Sequence, residues 1–277
     1  MNGAGRRGSP LWRVAFAVWA LGIILLVVFP LYLVVMVSIA PGIAIFGERP
    51  SLFITHPTLR FWLRVIARGD LWPPLIKSLV VATLTTVAAI AIAAPAAYVI
   101  SRLPRGLRYG LVIALLVTRM FPEFAIGVSV ATRFARLGLT DGYFGLILAH
   151  LIGALPFIAW VLVGTFADIP PDLEEAAAID GSSRIGTLLR VIFPAAASGL
   201  AVAALFVWLY SWNEFLYARL LTTSQNTLPL QVFQAIDRGT RQQMAAVAAV
   251  LIVPILGVVA VLQRFLRPDT LAGAVKG

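Results

Sequence analysis

The sequence predicts an all-α protein that crosses a membrane with about six helices. Apolar side chains make up 60% of the 277 residues and charged side chains only 12%, which argues against a water-soluble globule of this length. The apolar residues form continuous runs of about 20 residues, the length that a helix needs to span a hydrocarbon core. They do not alternate with polar residues, as the strands of a membrane β-barrel would require.

Six apolar runs are the predicted spans. They are Val14–Ile39, Ile76–Ile100, Leu107–Val130, Phe144–Phe166, Ala195–Tyr217 and Met244–Leu266. The first follows several arginines as a signal peptide would, but it far exceeds the roughly 7–15 apolar residues usual there, so we expect an uncleaved helix. Prolines inside the spans are tolerated because neighbouring helices can satisfy the freed backbone carbonyls. These prolines are Pro30, Pro95, Pro122, Pro156 and Pro254.

The long connection between the first two spans, residues 40–75, contains one amphipathic piece, Leu59–Ile66. Its Trp62 and its arginines suit the lipid headgroup region, so we expect a surface helix that packs against the first span. No internal repeat or linker is visible. Residues 1–277 are therefore expected to form a single transmembrane domain.

Charge and chemistry exclude several classes of function. The net charge of +10 does not indicate a nucleic-acid-binding protein, because the basic residues lie at the ends of apolar runs. The absence of Cys excludes disulfides and thiolate chemistry. His56 and His150 lie far apart without other ligands, so we predict no metal site and no cofactor. Lys77–Ser78 lacks the glycines of a nucleotide-binding Walker A loop, and no nucleophile motif is visible, so the chain is not expected to be an enzyme.

Residues 167–193 have the features of a compact helical hairpin. Two prolines open its first helix and acidic residues occupy the first turn, where they complement the helix dipole. Gly181 stands where a left-handed cap would end that helix. Ser182 or Ser183 can cap the second helix, and Pro194 marks the entry to the next span.

The spacing within this hairpin resembles a known signature. Glu175-Ala176-Ala177, then Gly181, then Val191 to Pro194 is similar to the EAA motif of binding-protein-dependent ABC importer permeases, with Val191 and Phe193 in place of the usual Ile and Leu. The resemblance implies a type I ABC importer permease fold in which the hairpin docks onto a cytoplasmic ATPase subunit. The ATPase-coupling residues that it implies are Glu174, Glu175, Ala176, Ala177, Asp180, Gly181 and Pro194.

Three further stretches resemble the carbohydrate-uptake branch of this family, and in particular its second, maltose-type subunit. They are Met120–Pro122, Ser211–Tyr217 and Leu271–Gly277. The resemblance implies a second homologous permease, two cytoplasmic ATPase subunits, an external solute-binding protein and a sugar substrate as partners. It places both termini in the cytoplasm of a bacterial or archaeal cell. It also implies an external loop at 218–243 that contacts the binding protein, and a tail at 267–277 that contacts the ATPases.

Polar residues at membrane depth are the candidates for a translocation pathway, because they usually face a bundle interior or a water-filled cavity. Arg119 and Glu123 stand four residues apart, where they could pair on one helical face. Asn213 and Glu214 lie near the outer end of the fifth span, and Trp208, Tyr210 and Trp212 could stack on sugar faces. The alternative for Arg119 and Glu123 is a structural ion pair at the membrane boundary, and for Trp208 an interfacial anchor.

Two other functions remain open. The first is an importer of the same type for a polyamine, phosphate or amino acid, because the docking signature does not encode the cargo. The second is a secondary transporter or a membrane-embedded enzyme. An intramembrane cluster of acids or histidines would support this second alternative, and none is visible.

Overall fold

The structure, a computed structural model, describes residues 10–41, 53–54, 56–67, 69, 71–238 and 240–263. The regular secondary structure in these ranges is helical, as predicted. The chain divides into two compact units, 1–68 with 235–250, and 69–234 with 251–277. The single domain expected for 1–277 stays a prediction, and the expected tail contact at 267–277 lies outside the described residues.

The first unit contains the long N-terminal helix α1 (Pro10–Ile39) and the short helix α2 (Arg60–Ala67). Most side chains of α1 are apolar and exposed, as on a helix that faces lipid. Helix α2 coincides with the predicted amphipathic piece. Its Trp62 donates an indole hydrogen bond of 3.0 Å to the hydroxyl of Ser38, which fastens α2 to the end of α1.

The second unit holds most of the remaining helices. They are α3 (Trp72–Ser101), α4 (Arg105–Val117), α5 (Glu123–Arg136), α6 (Tyr143–Ala167), α7 (Asp172–Ile179), α8 (Arg184–Thr187), α9 (Phe193–Ala195), α10 (Ala197–Asn213) and α11 (Leu216–Leu221). A 3-10 turn, Thr118–Met120, follows α4, and a π-helical turn, Leu188–Ile192, follows α8. Two more helices, α12 (Leu228–Arg238) and α13 (Arg241–Leu262), run from one unit into the other.

The core of the second unit lies between α3, α6 and α10. The buried face of α3 is built from alanines, and α6 contributes larger side chains such as Phe166, which is fully buried. A Cβ atom at Gly199 of α10 would lie 2.2 Å from the Thr165 side chain of α6, so the glycine is required where these two helices approach. Small residues at helix contacts are typical of membrane proteins, where close packing holds the helices together.

Among the described residues, four helices, α1, α3, α6 and α13, are long and apolar enough to cross a membrane, and two bent pairs raise the number to as many as six. The third and fifth predicted spans each contain a sharp bend, whereas the sequence predicted only a tolerated proline kink in the third. The segment that ends at Met120 meets α5 at 82°, because Pro122 lacks an amide hydrogen and Phe121 before it is extended. Residues 184–195 likewise meet α10 at 79°.

Within the expected external loop at 218–243, the described residues are mainly helical. Only residues 222–227 connect α11 to α12 without helix. The cause is an apolar face on α12: Leu228 and Leu230 are at most 1% exposed. Pro229 lies in the first turn of that helix, where its missing amide costs no hydrogen bond.

Candidate functional site

The first helix of the 167–193 hairpin, α7, ends in a Schellman cap. Gly181 has a φ of +79°, as the sequence predicted for a left-handed residue at this point. The Ser182 amide donates to the Ala177 carbonyl over 2.9 Å, and the Gly181 amide donates to Ala178 over 3.1 Å. The chain therefore reverses sharply at Gly181 with its terminal carbonyls satisfied.

The second helix of the hairpin begins at a serine cap. Of the two serines that were considered, it is Ser183 whose hydroxyl accepts a hydrogen bond of 3.1 Å from the Gly186 amide. The π-helical turn then leads to α9, whose first turn contains Pro194. The hairpin thus passes directly into the bent pair that includes α10.

The outer surface of the hairpin is apolar and uncovered in the isolated chain. Ile179 is 86% exposed and Ile185 is 71% exposed. Among the residues that the EAA resemblance implies, Glu175, Ala176, Asp180 and Gly181 are also exposed, whereas Ala177 is buried beneath them. Exposed apolar surface of this kind marks an interaction site.

Glu174 points away from that surface, into the protein. Its Oε1 accepts a hydrogen bond of 2.6 Å from Arg102 Nε, and its Oε2 accepts one of 2.7 Å from the Tyr98 hydroxyl. Arg102 also donates to the backbone carbonyls of Phe166 and Ile169, at 2.9 and 3.3 Å. The sequence had placed Glu174 at the partner interface, but in the structure both of its oxygens are used within the chain.

A cavity of about 620 Å³ opens beside the helix breaks. It contains four of the five residues predicted for a translocation pathway, together with Gly153, several aromatic side chains and apolar residues of α10 and α11. The four predicted residues are Arg119, Glu123, Asn213 and Glu214. Arg119 and Glu123 flank the break at Pro122, and Asn213 and Glu214 lie where α10 ends before α11.

Arg119 and Glu123 are bridged by Tyr210, one of the three aromatic residues predicted as candidates for stacking on a sugar. They do not form the direct pair that was considered, because the break at Pro122 puts them in different helical segments. Tyr210 donates to Glu123 Oε1 over 3.0 Å, and the Arg119 guanidinium lies 5.7 Å from the centre of the Tyr210 ring. Arg119 also donates to the Gly153 carbonyl over 2.7 Å.

Gly153 makes room for this arrangement. A Cβ atom there would lie 2.0 Å from the Tyr210 oxygen and 3.0 Å from Arg119 Nη1. Any other residue would displace both groups. No local sequence signal marks Gly153, because its neighbours across the cavity are distant in the chain.

Glu214 is buried and caps α11. Its two carboxylate oxygens accept hydrogen bonds from the Tyr217 and Ala218 amides, at 2.7 and 3.2 Å. Its Oε2 also lies 3.2 Å from His150 Nε2, while His150 Nδ1 lies 2.7 Å from the Ser211 hydroxyl. His150 is thus a packed polar residue.

Trp208 lies apart from the other predicted pathway residues. It is buried and stacks on Trp212, with ring centroids 5.0 Å apart and planes 10° apart. Its remaining surface faces a different cavity, of about 330 Å³, with apolar walls from α3, α10 and α13. The structure therefore does not bring Trp208 together with Arg119 and Glu123.

A polar cluster outside the spans holds the loop 222–227. Asp141 accepts hydrogen bonds from the Thr223 hydroxyl and from the amides of Thr223, Ser224 and Gln225. Burial raises the pKa of Asp141, but these hydrogen bonds outweigh it and hold the pKa below its ordinary value. Lys77, which is 2% exposed, donates to the carbonyls of Asp141 and Gln225 over 2.9 and 2.6 Å. The Lys77–Ser78 dipeptide, which is not part of a nucleotide loop, thus anchors this segment.

Within the described part of the chain, no group of three or more His, Asp or Glu side chains could hold a metal ion. The polar chemistry of the cavity instead consists of one guanidinium, two carboxylates, a phenol and an amide, framed by aromatic rings. Such a combination suits a neutral or zwitterionic organic solute with several hydrogen-bonding groups.

Comparisons with known proteins agree with this geometry. Residues 9–271 match the model of a family described as "Binding-protein-dependent transport system inner membrane component". The chain is 30% identical over 278 residues to the trehalose/maltose transport system permease protein MalG of Thermococcus litoralis, covering 98% of this chain and 99% of that protein. It is 37% identical over 222 residues to the trehalose transport system permease protein SugB of Mycobacterium tuberculosis, covering 77% and 81%.

Solved structures share the fold. A chain in a crystal structure of a bacterial ABC transporter involved in the import of the acidic polysaccharide alginate superposes with a TM-score of 0.76 at 22% identity, covering 96% of this chain and 100% of that one. A chain of the MetNI methionine ABC transporter superposes with a TM-score of 0.59 at 19% identity, covering 72% and 95%. The chain belongs to the family of inner membrane components of binding-protein-dependent transport systems, the ABC importer permeases.

Proposed function

We propose that this chain is the permease subunit of an ABC importer for a sugar or oligosaccharide, in which ATP hydrolysis by partner subunits drives alternating access. The observation that carries the proposal is the cavity between the break at Pro122 and the end of α10, where Arg119, Glu123 and Tyr210 meet. The names of the relatives, which include trehalose, maltose and diacetylchitobiose uptake systems, support a sugar as the cargo.

The cavity has the chemistry that a sugar requires. Asn213 uses its Nδ2 for the Leu209 carbonyl, which leaves its Oδ1 to accept from a hydroxyl group. Glu123 and Arg119 offer further acceptors and donors, and the rings of Phe157 and Phe206 can cover the apolar faces of a sugar. Few polar groups placed among aromatic walls are typical of small-molecule sites.

The exposed surfaces of the chain support the following set of partners. The exposed face of the hairpin would dock onto one of two ATPase subunits, with Ile179 and Ile185 as apolar contacts and Glu175 as a charged one. A second, homologous permease would complete the pathway, and membrane lipid would cover the apolar outside of the spans. The segment 218–243 would meet the external solute-binding protein, and both termini would lie in the cytoplasm.

Another cargo is the nearest alternative, because the methionine transporter has the same fold. One transport assay distinguishes a sugar from these other cargoes. The complex, co-expressed with its second permease and ATPase subunits, is reconstituted in proteoliposomes with its solute-binding protein and ATP. We expect uptake of labelled maltose, trehalose or a related oligosaccharide that unlabelled amino acids, phosphate and polyamines do not compete away. Uptake of one of these other solutes, with none of any sugar, would overturn the proposal.

A further inference from the structure

Helix α3 is tied by polar side chains to a different chain segment near each of its ends. At one end, Tyr98 and Arg102 hold Glu174 of the hairpin. At the other end, Lys77 and Ser78 hold the segment that begins with the loop 222–227. We propose that α3 is the rigid link through which the hairpin and this segment move together, and that Glu174 and Lys77 are positioning residues of the link.

The inference rests on the proposed function, because that function assigns a partner to each tied segment. The hairpin would face the ATPase, and the segment at 222–234 would face the solute-binding protein. A transporter must pass a signal between these two partners in both directions, since a binding event on one side changes affinity on the other by the same free energy. The structure offers α3 as one continuous helix that contacts both segments.

The hydrogen bonds between α3 and the hairpin use both oxygens of the Glu174 carboxylate. Each carboxylate oxygen of Glu174 receives a hydrogen bond, and the side chains of Glu174 and Arg102 are only 24% and 23% exposed. The guanidinium of Arg102 lies 5.5 Å from the Tyr98 ring centre and also binds two carbonyls near the end of α6. A charge-assisted pair with this many partners is stronger than an ordinary surface ion pair. The hairpin therefore cannot shift without pulling on α3 or breaking these bonds.

The tie to the outer segment is also buried. Lys77 donates to the carbonyls of Gln225 and Asp141, and the Ser78 hydroxyl accepts from the Leu228 amide over 2.8 Å. A buried ammonium group without hydrogen-bond acceptors is strongly unfavourable. Moving the loop away from Lys77 would leave the ammonium group without these acceptors, and the free energy that this costs keeps the loop in place. This end of α3 thus fixes both the loop 222–227 and the first turn of α12.

The helix between the two ties is suited to transmit a displacement. It contains 30 residues, which corresponds to a length of about 45 Å. Its buried alanines pack closely against α6 and α10, and packed helices can transmit a displacement by small sliding shifts. Motion at Arg102 would accordingly appear at Lys77.

The acidic residues of α7 allow a matched control. Glu174 faces the core, whereas Asp172 in the same turn is exposed and lies outside the set of coupling residues. Glu174→Gln removes the charge from the tie, and Asp172→Asn removes the same charge from the surface. A difference between these two variants therefore reports the tie and not the net charge of the hairpin.

The test is a double-mutant cycle on the full importer complex in lipid. Glu174→Gln, Lys77→Met and the double variant are compared by the ratio of ATPase activity with the sugar-loaded binding protein to that without it. We expect each single variant to lower this ratio by about fivefold or more, and the double variant to lower it no further than the worse single variant. Asp172→Asn should keep the parental ratio. Single variants with the parental ratio, or losses that multiply in the double variant, would overturn the link.

A second measurement does not depend on transport. The chain contains no Cys, so a single one introduced at the exposed Ser224 can be labelled selectively with a maleimide. In the parent, ATP should change the labelling rate at this position, and Glu174→Gln should abolish the change. If Glu174→Gln does not assemble, Arg102→Lys, which retains the charge but loses the forked geometry, takes its place. A labelling response to ATP that survives in these variants would refute the link.

The two proposals fail in different ways. A parental complex that carries no sugar would refute the sugar assignment, while the labelling response at position 224 would still test the link. If the parental complex carries sugar, but Glu174→Gln changes neither the labelling response nor the ATPase ratio, only the link is refuted.

Discussion

The hydroxyl group of Tyr210 donates to Glu123 across 3.0 Å, and this contact joins α10 to the start of α5, on either side of the cavity. Tyr210 stands toward the end of the fifth predicted span, and Glu123 stands just after the proline that breaks the third. Both residues line the cavity, so any displacement of Tyr210 also changes the shape of the proposed sugar site.

The substitution Gly153→Ala tests this relationship by displacing the Tyr210 ring. The added methyl group would lie 2.0 Å from the Tyr210 oxygen, so the ring must shift, at a cost of about 1–3 kcal/mol for an overpacked site. We expect sugar uptake to fall roughly tenfold or more, with the complex still assembled. Gly164→Ala on the same helix is the matched control, since a Cβ atom there meets nothing within 4 Å. Equal uptake by the two variants would show that the cavity is not on the pathway.

Gly181→Val should disconnect ATP hydrolysis from transport. Gly181 has a φ of +79°, and a β-branched residue resists this conformation by about 1–2 kcal/mol. We expect the turn of the hairpin to rearrange and the ATPase activity to lose its stimulation by the sugar-loaded binding protein. Gly181→Asn is the control, because asparagine tolerates a left-handed backbone, and it should retain most of the stimulation. If valine and asparagine behave alike, the conformation of Gly181 does not matter for coupling.

The Gly181 cap was predictable from sequence because it depends on local chemistry. A glycine after an alanine-rich helix, followed by two serines, specifies a left-handed turn and a new helix cap within a few residues. The positions of the spans were predictable for a similar reason, since about 20 apolar residues define a span without any knowledge of its neighbours.

The contacts of Glu174 and Tyr210 could not be predicted in this way. Arg102 and Glu174 are separated by 72 positions, and nothing in either local sequence favours this partner over others. The sharp bend in the third span was not predicted, because Pro122 was treated as one of several tolerated prolines. Pro30, Pro95, Pro156 and Pro254 do lie inside continuous helices, and only the packing around each proline decides between a kink and a break.

Asp141→Asn should destabilise the protein in a pH-dependent manner. Hydrogen bonds from Thr223 and its neighbours hold the pKa of Asp141 below its ordinary value of 3.8. The stabilisation is therefore fully present above about pH 4 and is lost as the pH falls toward the lower pKa of the folded state. We expect the melting temperature of the variant to lie about 2–4 °C below that of the parent at pH 7, and the difference to shrink below pH 4.

Asparagine suits this test because it tolerates the φ of +60° at position 141, so backbone strain does not add to the effect. Thermal unfolding of the purified complex in detergent, followed from pH 7 down to pH 3 for parent and variant, measures the difference. A gap in melting temperature that is constant over this range would mean that the Asp141 charge does not hold the loop 222–227.

The last prediction concerns the segment 218–243, which we expect to contact the solute-binding protein. The loop 222–227 and the outer surface of α12 are well placed for this, because Ser224 and Gln225 are exposed while the backbone beneath them is fixed by Lys77 and Asp141. Phe233 adds an apolar side chain that is 48% exposed. A rigid, partly apolar surface binds a partner at a lower entropic cost than a flexible loop would.

Photo-cross-linking tests whether this segment contacts the solute-binding protein. A benzophenone amino acid at Ser224, Gln225 or Phe233 should form an adduct with the binding protein in the assembled importer, and the yield should rise when its sugar is present. The control position is Leu84 on α3, which is 47% exposed but lies in the middle of a span, where lipid or the second permease is expected. Adducts at none of the three test positions, or an equal yield at Leu84, would mean that the segment is only a connection between helices.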